Sequence, residues 1–179
     1  MTRGARLRTE PKEWWRARGR VSLNEAEQGF RYFRLVPPQA SEYAREGPSQ
    51  AGEPVMIEQP SLPPTDHVVR GEDRSTLRVS MGPSILHCLG GLAGHMRPDD
   101  LLSDPANMED AGGRCHGWFI YGVRDAPEGL LGNDQVAQLV PDATHTGEVW
   151  GTMPVRMEHI GTLGGDFGPD DTYGVWACP

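Results

Sequence analysis

Glycine and proline occupy 39 of the 179 positions, and they separate nearly all of the short apolar segments of the chain. Both residues weaken the interior of a long helix. Two parallel strands also need a crossover of about a dozen residues or more between them, usually a helix. The frequent interruptions therefore favour short antiparallel strands over a regular alternation of strands and helices.

The pattern of apolar residues predicts one strand early in the chain and several after residue 64. The first strand is Phe30–Val36, which is rich in aromatic and branched residues and is ended by two prolines. The later candidates are His67–Arg70, Thr76–Met81, Gly117–Val123, Glu148–Thr152, Val155–Ile160 and Tyr173–Ala177.

Four segments have helical signals. Ser22 and Glu25 have the spacing of a capping box, in which each side chain satisfies a backbone N–H of the other residue. A second short helix is expected over about residues 11–18, because its first position is a proline. Further along, Asn133–Val140 has an apolar stripe at helical spacing, and Ser84–Leu92 has a weaker one that two glycines interrupt.

We therefore expect a mainly β fold, an antiparallel sandwich or small barrel, preceded by an extended N-terminal arm with one or two short helices. Residues 1–64 form the basic, proline-rich arm and linker with one strand, and residues 65–179 form the β-rich body. Seven prolines among positions 37–64 support an extended linker. Only 37% of the residues are hydrophobic, which predicts a thin core.

The formal net charge of −8 conceals an uneven distribution. Residues 1–36 contain nine basic residues against four acids, a net charge of +5. The rest of the chain contains eight basic residues against twenty-one acids, a net charge of −13. Residues 1–36 of one copy and the remainder of another copy are therefore electrostatically complementary.

The first twenty residues combine seven cations with two adjacent tryptophans. The residues predicted to bind a partner are Arg3, Arg6, Arg8, Trp14, Trp15, Arg16, Arg18 and Arg20. The favoured partners are other protein subunits, in a homo-oligomeric or hetero-oligomeric assembly, with the tryptophans as buried anchors. Nucleic acid is the alternative partner, because arginines neutralise phosphates and tryptophans stack on bases. A membrane is not expected, since one or two helical turns offer little apolar surface.

No spacing of cysteine, histidine or acidic residues indicates a metal site or a catalytic centre. The candidate groups are His87, Cys88, His95, Cys115, His116, His145 and His159. Cys88 and His95 are seven positions apart and Cys115 is adjacent to His116, which does not match the paired ligands of structural zinc sites. We expect no catalytic residue, no metal and no cofactor.

Two acidic pairs, Asp99-Asp100 and Glu109-Asp110, are flanked by residues that favour turns, and they are interpreted as charged loops. The chain has no apolar run long enough to span a membrane and no apolar run typical of a Sec signal. Its three cysteines are too few for a disulfide scaffold. The expected location is therefore the cytoplasm or a virion.

The thin core, the long arm and the complementary charges together favour a structural subunit of a large assembly. The favoured class is a virion or phage particle component, such as a minor capsid, cement or connector protein. One alternative is a small β-barrel enzyme of secondary metabolism whose N-terminal segment forms a lid. Another is a subunit of a ribonucleoprotein. An enzyme is favoured less than a structural protein, because no strong catalytic motif is present.

Overall fold

A computed structural model of the chain describes residues 20–37, 55–63, 70–164 and 174–177. The strands are β1 (Arg20–Ser22), β2 (Tyr32–Val36), β3 (Val55–Glu58), β4 (Val79–Met81), β5 (Phe119–Val123), β6 (Leu130–Leu131), β7 (Val149–Gly151), β8 (Val155–Gly164) and β9 (Gly174–Ala177). The helices are α1 (Leu23–Ala26), α2 (Ile85–Leu92), α3 (Pro98–Ser103), α4 (Pro105–Cys115), α5 (Asn133–Val136) and α6 (Ala143–Thr146).

The strands form two antiparallel sheets. The large sheet has the order β1-β9-β8-β5-β2, and β3 pairs with the first part of β8. The small sheet has the order β4-β7-β6. The antiparallel arrangement agrees with the sequence prediction. The mainly β class does not, because the structure contains comparable amounts of helix and strand, and the sheets are not closed into a barrel.

Helices α3 and α4 account for much of this difference, and both cover segments that the sequence suggested were charged loops. Each helix begins at a proline in its first turn, and the Asp104 side chain accepts a hydrogen bond of 2.9 Å from the Ala106 N–H at the start of α4. Met108, Ala111 and Cys115 are buried at the helical spacing i, i+3, i+7. The loop interpretation of the two acidic pairs was therefore wrong.

Several local predictions are confirmed. The strand expected over Phe30–Val36 is present as β2, and the helix expected over Ser84–Leu92 is present as α2. The capping box at the start of α1 is formed as predicted: Ser22 Oγ accepts the Glu25 N–H at 3.2 Å, and the Glu25 carboxylate accepts the Ser22 N–H at 2.8 Å.

The division into an arm and a body at residue 64 stays a prediction, although β1, β2 and β3 all pair with strands that follow that boundary. The helix expected over residues 11–18 lies outside the described residues. So does most of the strand expected over His67–Arg70.

The large sheet is covered on both faces by separate apolar clusters. On one face it packs against α2, α3 and α4. This helix-side core comprises Phe33, Leu35, Ile85, Leu89, Ala93, Leu101, Met108, Ala111, Cys115, Ile120 and Leu163. On the other face it packs against the small sheet. This sheet-side core comprises Val36, Met56, Val79, Met81, Tyr121, Val123, Val149, Val155 and Met157. Successive residues of β2 and β5 point to opposite faces, so each strand contributes to both cores.

Two isolated backbone pairs connect the elements around the small sheet. Phe33 and Gly82 exchange hydrogen bonds of 2.8 and 2.9 Å, and Ser61 and Arg78 exchange bonds of 3.0 and 2.9 Å. Between these pairs, Arg34 Nη1 donates a 2.8 Å hydrogen bond to the Ser80 carbonyl. A side chain thus satisfies a backbone acceptor where the strand pairing is interrupted.

Among the residues that the structure describes, the longest helix is α4 with 11 residues. None of these helices is long and apolar enough to cross a membrane.

Candidate functional site

The predicted partner-binding residues lie almost entirely outside the described part of the chain. Arg3, Arg6, Arg8, Trp14, Trp15, Arg16 and Arg18 precede the first described residue. Arg20 is the first residue of β1, where its backbone lies opposite Trp176 of β9. The structure therefore shows where residues 1–19, called the basic arm from here on, join the sheet, and the contacts of this arm stay a prediction.

The arm joins the body at the edge of the large sheet. Strand β1 pairs only with β9 among the described strands, with Arg20 opposite Trp176 and Ser22 opposite Gly174. The short helix α1 and a turn then lead the chain into β2 at the opposite end of the strand order. The basic arm therefore ends at β1, at the edge of the described sheet.

A second surface feature is an acidic face on α3 and α4. Five exposed carboxylates lie within twelve positions: Asp99, Asp100, Asp104, Glu109 and Asp110. The nearby basic residues are Arg97 and Arg114, and Arg114 pairs with Asp110 at 2.9 Å. Leu102 lies among these acids and is 59% exposed. The acidic face thus combines an excess of negative charge with an exposed apolar side chain.

A concave feature among the described residues is a groove of about 890 Å³. It lies along α2 and the small sheet, and its walls also include residues of β2 and α6. The lining residues with polar or reactive side chains include Arg34, Glu72, Arg78, Ser80, His87, Cys88, His95, Asp142, Thr146 and Glu148. This volume lies within the range of about 300 to 1,000 Å³ that is typical of small-molecule sites.

Most of the charged groups around the groove form ion pairs. Arg34 pairs with Glu58 at 2.7 Å, and the buried Arg78 pairs with Glu72. Arg78 also lies over the ring of the buried Trp150, with its guanidinium carbon 4.0 Å from the ring centroid. His95 contacts Asp142 across the gap between α2 and α6.

Glu148 differs from these groups. Its Oε1 accepts a 2.8 Å hydrogen bond from Trp150 Nε1. No basic side chain within the described ranges forms an ion pair with it. Asn133 fixes the backbone around it, because Asn133 Nδ2 donates to the carbonyls of Ala143 and Glu148 at 2.8 and 3.0 Å.

His87 is held in one orientation at the wall of the groove. Its Nδ1 lies 2.7 Å from Ser84 Oγ, which also accepts the His87 backbone N–H at 3.2 Å as the N-cap of α2. Gly147 has a φ of +66° at the end of α6, and a Cβ there would lie 2.6 Å from His87 Cδ2. Burial lowers the pKa of His87, although the Asp99 charge opposes this shift, so the neutral imidazole is favoured.

The described cysteines are poor nucleophiles. Cys88 Sγ donates a 3.2 Å hydrogen bond to the Phe33 carbonyl, and burial raises the pKa of this thiol to about 12. Burial likewise raises the pKa of Cys115 to about 11. The thiolate is the reactive form, so neither cysteine is activated. His145 is exposed, and His159 is buried between the rings of Phe119 and Tyr121, with both centroids 5.3 Å away.

Across residues 20–37, 55–63, 70–164 and 174–177, no group of three or more cysteine, histidine and acidic side chains could hold a metal ion. The candidate ligands singled out from the sequence are not brought together. The expectation of no metal, no cofactor and no catalytic residue stays a prediction.

Sequence reasoning did not find the groove, because its residues come from positions as far apart as Arg34 and Glu148. The acidic face was also missed, although the spacing of Met108, Ala111 and Cys115 contained the signal for the helix that presents part of it.

Comparison of the chain with protein-family models, with curated proteins and with solved structures finds no match.

Proposed function

We propose that this protein is a structural subunit of a large assembly, held by contacts between its N-terminal arm and other protein subunits. The favoured assembly is a virion or phage particle. The observation that supports this proposal most is the placement of opposite charges on one chain. Residues 1–19 contain six basic residues and two acids and join the body at a sheet edge, whereas α3 and α4 present the acidic face.

The arm of one copy would bind the acidic face of a neighbouring copy. Exposed ion pairs contribute only about 0 to 1 kcal/mol each, so charge alone would give weak and salt-sensitive association. The larger contribution would come from Trp14 and Trp15, since buried aromatic anchors dominate most protein interfaces. Leu102 supplies an exposed apolar side chain within the acidic face for such an anchor.

Repetition would turn a weak contact into a stable assembly. Each copy has one arm and one acidic face, and the two are different surfaces. A contact between unlike surfaces is heterologous, and it generates rings or open arrays depending on whether the rotation closes. Several weak contacts in a closed array bind much more tightly than any one of them alone.

Nucleic acid remains the other partner proposed for the arm, as in the ribonucleoprotein alternative. The net charge of −13 outside residues 1–36 opposes it, because the body would repel a polyanion. The enzyme alternative also stays a proposal. The two described sheets do not form the closed barrel that was expected for such an enzyme.

A charge-swap experiment tests the arm and the acidic face together. One variant reverses the arm (Arg3→Glu, Arg6→Glu, Arg8→Glu), and another reverses the acidic face (Asp99→Arg, Asp100→Arg, Glu109→Arg). Size-exclusion chromatography with light scattering measures the mass of each variant and of their mixture. A matched control reverses three exposed acids elsewhere on the body: Asp125, Glu128 and Asp134.

The proposal predicts that the wild-type chain and the control variant self-associate and that each charge-reversed variant alone does not. In the mixture, the three negative charges of the reversed arm meet the three positive charges of the reversed acidic face, so a mixed complex should form at low salt. Loss of association only in the arm variant, together with tight binding of the wild-type chain to single-stranded DNA, would favour the nucleic-acid alternative. A monomeric wild-type chain at high concentration would contradict the proposal.

A further inference from the structure

We propose that the groove binds a small organic cation, a primary ammonium group on an apolar body, with Glu148 as the counter-ion. This inference does not depend on the proposed assembly function. It rests on the charges of the groove, on the way Glu148 is held, and on the apolar side chains at the rim.

The charge of Glu148 is not compensated by an ion pair with any of the described residues. Arg34 pairs with Glu58, Arg78 with Glu72, and His95 with Asp142. Arg114, which also lines the groove, pairs with Asp110. A carboxylate in a partly enclosed groove is stabilised by a cation more strongly than one in open water, because the local dielectric is lower.

The carboxylate is also preorganised. The Trp150 Nε1–H bond holds one oxygen of Glu148, and Asn133 donates to the Ala143 carbonyl at the start of α6 and to the Glu148 carbonyl after it. The buried Trp150 is in turn packed against the guanidinium of Arg78. A group that is fixed before binding loses little conformational entropy when the ligand arrives.

Two polar groups that line the groove together with Glu148 have unused hydrogen-bonding capacity. Thr146 lines the same groove, is only 6% exposed, and its hydroxyl has no hydrogen-bond partner among the described residues. His87 Nε2 has no partner within the same part of the chain, and it is an acceptor in the tautomer in which Nδ1 donates to Ser84 Oγ. An ammonium group has three donors, so it can bind a carboxylate and one or two neutral acceptors together.

The remainder of the groove suits an apolar body. Leu62 and Leu92 are exposed large hydrophobic residues, and both line the groove. Trp118 also lines it. Burying such side chains against a ligand removes apolar surface from water, at about 25 cal/mol per Å².

An anionic ligand fits these observations less well. The two guanidinium groups in the wall are already engaged: Arg34 donates to Glu58 and to the Ser80 carbonyl, and Arg78 donates to Glu72 and to the Asp73 carbonyl. A carboxylate or phosphate would have to displace one of these glutamates or lie near the uncompensated Glu148. Both arrangements are unfavourable.

The test uses the full chain and three probes of similar shape: 2-phenylethylammonium, 2-phenylethanol and phenylacetate. Isothermal titration calorimetry measures the affinity of each probe. The variants are Glu148→Gln, which keeps a carbonyl oxygen for Trp150 Nε1, and Thr146→Val, which removes the hydroxyl. The matched control is Glu109→Gln, an exposed glutamate on α4. Thermal melting of each variant shows that it is folded.

We expect the ammonium probe to bind at millimolar or lower concentration and the alcohol and the carboxylate to bind at least about tenfold more weakly. Glu148→Gln should weaken ammonium binding by about tenfold or more, and Glu109→Gln should leave it unchanged. Thr146→Val should cause a smaller loss. Equal affinity for the three probes, unchanged binding by a folded Glu148→Gln variant, or no binding of the ammonium probe would each overturn the inference.

Discussion

The two faces of the large sheet are buried in different ways. The helix-side core is apolar throughout, with Leu89 and Leu101 fully buried between the sheet and α2 to α4. The other face contains the sheet-side core and also buried polar groups, including Glu58 and His159. Burial of apolar side chains gives most of the stability of a fold, whereas buried ion pairs contribute little net stability. We therefore expect the helix-side core to contribute more to the stability of the protein than the buried polar groups on the other face.

The largest expected effect is a cavity in the helix-side core. Leu89→Ala removes a fully buried side chain from α2, and the free energy of unfolding should fall by about 3 to 4 kcal/mol. Urea denaturation followed by circular dichroism measures this change. The control is Leu92→Ala, one turn further along the same helix, where the side chain is exposed and the change should stay within about 0.5 kcal/mol.

Similar losses for the two leucine variants would show that α2 is not packed as described. They would also contradict the expected stabilising role of the helix-side core.

Local sequence signals predicted the elements whose ends are marked by prolines or by a capping box. The prolines after Val36 ended β2, and Ser22 with Glu25 marked the start of α1. Helices α3 and α4 were missed because Pro98 and Pro105 were weighed as turn formers, when each occupies a first helical turn. Tertiary packing of Met108 and its neighbours decided between the two possibilities, and a single sequence does not show which surface covers such a stripe.

The second prediction concerns acid. Burial lowers the pKa of His159 to about 4, while the imidazole of an unfolded chain titrates near 6.5. Between these values the unfolded chain binds more protons, so the free energy of unfolding falls as the pH decreases through this window. The limiting loss is about 3 kcal/mol. His87, whose pKa is also lowered, acts in the same direction.

Urea denaturation at about pH 7 and about pH 5 measures part of this loss, about 2 kcal/mol. His159→Phe removes the titrating group and should reduce the loss, and His145→Gln is the control because that side chain is exposed. If His159→Phe loses as much stability on acidification as the wild type does, the burial of a neutral histidine in the sheet-side core is not the cause.

The candidate sites could be predicted from the sequence only in part. The charge asymmetry between the arm and the body is a property of composition and is visible directly. The groove is not, because the isolation of Glu148 depends on where every nearby cation finds its partner. Arg34 and Arg78 would look equally available in the sequence, and only the fold shows that each is engaged.

Deleting the arm should have the smallest effect on stability. The same deletion is the most direct test of the central claim that the arm serves assembly. Deletion of residues 1–19 retains β1 and its pairing with β9. The free energy of unfolding of the body should therefore change by no more than about 0.5 kcal/mol. Light scattering should show a multimer for the full chain and a monomer for the truncated chain. A truncated chain that is unfolded, or one that is folded and still forms the same multimer, would contradict the account.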